Sequence, residues 1–71
     1  MMLYESVSSS CIAYVGYDAE TKTMRLTMNN GHEYEYWGVY EHVVQELILA
    51  SSKGKYYNEH IKGRYDGEVL A

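Results

Sequence analysis

Lys22 to Trp37 reads KTMRLTMNNGHEYEYW, and its periodicity decides the fold. Met24, Leu26 and Met28 alternate with Thr23, Arg25 and Thr27, which is the pattern of a strand with one buried face. His32 to Trp37 also alternates. Tyr34 and Tyr36 share one side; Glu33, Glu35 and Trp37 share the other. The glutamates belong in water, so the tyrosines belong on the core side. Asn29-Asn30-Gly31 between the two runs is a turn sequence. Register sets its length. A two-residue Asn-Gly loop would pair Met28 with Glu33 and put the methionines on the glutamate face. A three-residue loop pairs Met28 with His32, Leu26 with Tyr34 and Met24 with Tyr36, so both apolar sets share a face. That loop is a type I turn followed by Gly31 in the left-handed region.

Outward from this hairpin, Cys11 to Asp18 (CIAYVGYD) is rich in β-branched and aromatic residues and reads as a strand. Ile12 and Val15 have opposite parity, and Gly16 is a residue that would permit a bulge. Leu3 to Val7 reads as a short edge strand. Ser8, Ser9 and Ser10 read as a turn; no nucleophile elbow surrounds them. Asp18 to Lys22 is a polar turn.

C-terminal to the hairpin, Val39, Val43, Val44, Leu47 and Ile48 recur at helical spacing and predict a helix over Val39 to Ala50. Glu41 suits its first turn. Ser51 and Ser52 stop it and cap a second helix over about Lys53 to Lys62, ended by Gly63 as a left-handed residue. Tyr56, Tyr57, His60 and Ile61 are expected on its inner face, with Lys55, Asn58, Glu59 and Lys62 outside. Arg64 to Ala71 reads as a tail ordered only near Tyr65. The expectation is one α+β domain over residues 1–71, with an ordered core of about 3–65. Its small antiparallel sheet has three to four strands, followed by two helices packed on one face.

Composition narrows the function classes. The 71 residues are 46% apolar, which excludes a disordered chain and allows one domain. Nine tyrosines and no phenylalanine mean a core with polar edges, because buried phenol hydroxyls need partners. Cys11 is the lone cysteine, which suits a reducing compartment, and it reads as a small core residue. No apolar run approaches the ~18 residues that span a bilayer, and the N-terminus lacks signal-peptide features. The expectation is a cytoplasmic protein without membrane contact. His32, His42, His60 and Cys11 show no zinc-ligand spacing, so no metal is expected. Gly54-Lys55 lacks the rest of a P-loop. No residue is assigned a catalytic role and no cofactor is expected.

The net charge of −4 is unevenly placed. Ser51 to Tyr65 (SSKGKYYNEHIKGRY) sets Lys53, Lys55, Lys62 and Arg64 against Glu59 alone. The remainder sets Lys22 and Arg25 against the nine other acids. Such asymmetry marks a candidate anion-binding surface. Two lysines in a first helical turn also oppose the helix dipole. An anion site there would use Ser52, the Gly54 N–H, Lys53 and Lys55.

Taken together these residues resemble the KTSC domain family. The likeness rests on Val15-Gly16-Tyr17-Asp18, Leu26, Asn30-Gly31, Tyr34-Glu35-Tyr36, Val39, Val43 and Leu47. It continues in Ser52-Lys53-Gly54, Tyr56-Tyr57-Asn58 and Ile61, and covers about Ser9 to Tyr65. Tyr40 departs from a proline with which many members open the first helix, and Tyr57 from a common phenylalanine. The family takes its name from a domain at the C-terminus of some lysyl-tRNA synthetases and also includes stand-alone bacterial proteins. The resemblance implies a fold more than an activity, and its synthetase link suggests RNA.

The expected function is a small non-catalytic binding module. RNA is the leading partner class. Its candidate contacts are Ser52, Lys53, Gly54, Lys55, Asn58, Lys62 and Arg64, and its aromatic candidates are Tyr34, Tyr36, Trp37, Tyr56 and Tyr57. The alternative is a protein-interaction or adaptor domain using the sheet face or edge, with Trp37 as an anchor.

Overall fold

A computed structural model describes residues 1–71. The chain runs through β1 (Leu3–Ser6), β2 (Ile12–Asp18), β3 (Thr23–Met28), β4 (Glu33–Trp37), α1 (Glu41–Leu49), α2 (Lys53–His60) and β5 (Gly67–Val69). The strands form one antiparallel sheet in sequence order, β1-β2-β3-β4-β5, with both helices on one face. No helix is long and apolar enough to cross a membrane.

The β3–β4 hairpin has the expected register. Leu26 lies opposite Tyr34 and Met24 opposite Tyr36. The Met28 N–H donates to the His32 carbonyl at 2.8 Å, which closes a three-residue loop, and Gly31 has a φ of +92°. A side chain there would be strained, so glycine is required by conformation rather than by space. The parity conflict in β2 is resolved by a bulge between Ile12 and Tyr14. Ile12 thus joins Met28 while Val15 still joins Leu26, and both reach the core. The extra residue is Ala13; Gly16 is not the bulge. Gly16 lies opposite Tyr4, whose ring fills the space that a Cβ would occupy. An aromatic covering a glycine across two strands replaces the missing side-chain contact.

The Ser9 hydroxyl accepts from the N–H groups of Cys11 and Ile12, so the serine run is a turn, as read. In the next turn the Asp18 carboxylate accepts from the Glu20 N–H at 3.0 Å. Helix α1 begins after Tyr40, two residues later than its apolar pattern suggests. Val39 and Val44 flank that start and are both buried, the arrangement of a hydrophobic staple. The Tyr17 hydroxyl donates to the Val39 carbonyl at 2.6 Å and pins this entry to the sheet. The core is Ile12, Val15, Met24, Leu26, Val39, Val43, Val44, Leu47, Tyr57 and Ile61.

Three expectations need correction. The sheet has five strands, because residues 64–71 turn back and lay β5 along β4, with Val69 opposite Tyr34 and Gly67 opposite Tyr36. The Trp37 N–H donates to the Asp66 carbonyl at 2.9 Å, and the Leu70 N–H to the Glu33 carbonyl at 2.8 Å. These bonds satisfy an edge of β4 that would otherwise be open. The Glu35 side chain is only 15% exposed, because Arg25 lies across it. His60 is exposed, since the buried side of α2 is centred on Tyr57 and Ile61 and leaves His60 on the flank.

Candidate functional site

Helix α2 is built by its sequence much as read. The Ser52 hydroxyl caps it by accepting from the Lys55 N–H at 3.3 Å. The helix ends at His60 with Ile61 as its C-cap, two residues short of the expected Lys62, and Gly63 takes a φ of +76° in the turn that follows. Lys53, the apparent breach of the dipole rule, has a tertiary explanation. Its Nζ donates to the Ala50 carbonyl at 3.0 Å, at the C-terminal end of α1, which has no basic residue in its last turn. A cation there is favoured by the dipole of α1. Gly54 faces inward. A Cβ on it would meet Cys11 Sγ at 2.8 Å, so glycine lets the helix approach the sheet over a small thiol.

Beside α2 lies a groove of about 500 Å³, floored by the sheet and bounded by β5. It brings together Tyr34, Tyr36, Tyr57, Gly54, Asn58 and Lys62. Tyr36 and Tyr57 meet edge to face, with ring centroids 6.1 Å apart, and share a hydrogen bond between hydroxyls at 2.5 Å. Tyr57 is only 7% exposed. Burial first, then its bond to Tyr36, pushes its hydroxyl well above the ordinary phenol range. Outside the groove, the Tyr56 hydroxyl donates to Glu46 Oε1 at 3.0 Å. Burial and that carboxylate push Tyr56 up to about 12.

Two outcomes follow from the tyrosines. Tyr36→Phe and Tyr57→Phe should each cost about 1 kcal/mol, because each leaves one half-buried hydroxyl without its partner. The double variant should cost less than the two added together, and urea unfolding of all four proteins measures the coupling. Alkali should also destabilise the fold. Tyr56 and Tyr57 have folded-state pKa values above those of the open chain. Between the two values the folded state therefore holds protons that the unfolded state has released. The stability they contribute is intact below the usual phenol value of about 10 and is lost as the pH rises towards about 12. Urea midpoints across that window should fall, and fall less in Tyr56→Phe.

Lys55 and Asn58 lie on the exposed side of α2, and Lys62 and Arg64 are exposed in the turn beyond it. Trp37 stands apart. It is 44% exposed at the end of β4, on the sheet face away from the helices. Cys11, Tyr65 and the β5 residues Gly67, Glu68 and Val69 also line the groove. No sequence signal marks these three β5 positions, because three residues are too few to show a period.

The family model described as the KTSC domain matches residues 8–65. The chain belongs to the KTSC domain family. This KTSC domain is similar to a crystal structure of a KTSC domain protein from Yersinia pestis, with a TM-score of 0.91 and 32% identity over 100% of both chains. It is 36% identical over 62 residues to a lysine–tRNA ligase from Nostoc punctiforme, covering 87% of this chain and 11% of the ligase. It is also 33% identical over 66 residues to a protein from Tsukamurella paurometabola, covering 93% of this chain and 98% of that protein. The chain thus spans about a tenth of the length of the curated lysine–tRNA ligases that it matches.

Proposed function

We propose that this KTSC domain is a non-catalytic RNA-binding module whose contact surface is the outer side of α2 and the turn after it. The observation that carries the reading is the state of its cations. Lys55, Lys62 and Arg64 are exposed, and none lies within ion-pair distance of a carboxylate. Phosphates would meet them without first displacing a partner. Lys62 and Asn58 also rim the tyrosine-lined groove, so a single strand laid along α2 would have aromatic edges beside its phosphate track. Ser52, Lys53 and Gly54 border this surface. Their capping, carbonyl and packing contacts give them structural roles, and the proposal does not depend on them. Similarity to segments of proteins named lysine–tRNA ligase points to the same partner class by association. A cytoplasmic setting, where a free Cys11 stays reduced, is consistent with it.

Fluorescence anisotropy of a labelled single-stranded oligoribonucleotide tests the reading. Affinity should fall with salt at a log–log slope of about −0.7 per phosphate contacted. Salt-independent binding, or none at low salt, overturns it. The protein-docking reading is favoured by exposed Trp37. Partners that survive RNase in a pull-down would support that reading instead.

A further inference from the structure

The opposite side of the molecule has a second groove, of about 530 Å³, between α1 and strand β1. Its apolar lining includes Leu3, Val15, Val44 and Ile48, and Leu3 is 69% exposed. Its carboxylates are Glu5, Asp18, Glu20 and Glu41; no lysine or arginine lines it, and its one cation, the N-terminal ammonium of Met1, donates to Asp18 at 3.3 Å. Strand β1 is also an edge of the sheet, paired only with β2. The Val7 N–H donates to the Ala13 carbonyl, and the pairing of Glu5 with Val15 and Leu3 with Tyr17 continues that register. The alternation of an antiparallel ladder therefore turns the N–H and C=O groups of Leu3 and Glu5 toward β2. Those of Tyr4 and Ser6 point outward. The edge carries neither lysine nor proline to block a further strand.

We propose that β1 and this groove form a docking site for an extended segment that is apolar on one side and rich in lysine or arginine. The segment would add to the sheet as a sixth strand. Its backbone would pair with Tyr4 and Ser6, its apolar side chains would enter beside Leu3 and Ile48, and its cations would meet Glu5, Glu20 and Glu41, the carboxylates not already paired with the N-terminal ammonium. Charge selects the occupant. Nucleic acid and anionic membranes are repelled by this rim. A second copy joined symmetrically through β1 would set one Glu5 and one acidic rim against another. The site is separate from the basic side of α2, so it stands or falls independently of RNA binding.

The probe is a capped seven-residue peptide of alternating valine and threonine with arginine at each end, titrated into the whole chain while amide NMR signals are followed. Saturable shifts centred on β1 and the α1 residues of the groove are expected, with slowed exchange of the Tyr4 and Ser6 amides. Glu5→Lys with Glu20→Lys should weaken binding about tenfold. Two control peptides act on the unaltered protein, so the test does not depend on how the variant folds. One carries glutamate in place of arginine; the other has N-methyl groups on the amides that would face β1. Neither should bind. Scattered or absent shifts, equal binding of either control, or pairing of β1 with a second copy in place of the peptide would overturn the proposal.

Discussion

Lys55→Glu combined with Lys62→Glu is expected to abolish binding of single-stranded RNA and to leave the fold intact. Both side chains are exposed and lie outside the core, and surface substitutions of this kind usually change stability by less than about 0.5 kcal/mol. An acid at position 55, in the first turn of α2, is better placed for the helix dipole than the lysine it replaces. Each reversal removes two units of charge, so the net charge moves from −4 to −8. Two phosphate contacts become two repulsions on the only side of the protein where cations cluster. The affinity loss should be at least about a hundredfold at moderate salt, and any residual binding should show a salt slope shallower by about 1.4. Circular dichroism and anisotropy on the same samples separate loss of fold from loss of binding. A folded variant that still binds like the parent would end the RNA proposal.

The second large effect concerns the fold itself. Leu26→Ala should remove a large part of the domain's stability near room temperature. Leu26 is fully buried on the central strand, opposite Val15 on one side and Tyr34 on the other. Truncating such a residue costs about 2–5 kcal/mol, because lost burial is joined by a cavity that neighbouring strands cannot close. A domain of 71 residues has a stability near the low end of the usual range, about 5 kcal/mol. Leu49→Ala is the matched control. It removes the same atoms from an α1 position that is 79% exposed, and should shift stability by less than about 0.5 kcal/mol. Urea unfolding followed by circular dichroism would show the contrast, and similar midpoints for the two variants would contradict this account of the core.

Features that repeat along the chain or act within one turn are legible in the order of residues. Alternation of Met24, Leu26 and Met28 against Tyr34 and Tyr36 set the hairpin register, since a slip by one residue would expose every apolar side chain in it. The spacing of Val43, Val44 and Leu47 gave the buried stripe of α1. Ser52 gave the start of α2, because a cap acts on its immediate neighbours. The rest depends on contacts made in the folded chain. Strand β5 is too short to carry a period and owes its place to backbone bonds offered by the β4 edge. Lys53 looks misplaced within its own helix and becomes favourable only when the end of α1 lies beside it. Gly16 and Gly54 answer to the Tyr4 ring and the Cys11 thiol, each distant in sequence. Both grooves are likewise gaps between elements. Periodicity specifies which face of an element is buried. What that face meets, and what is left uncovered, depends on contacts between residues far apart in the chain.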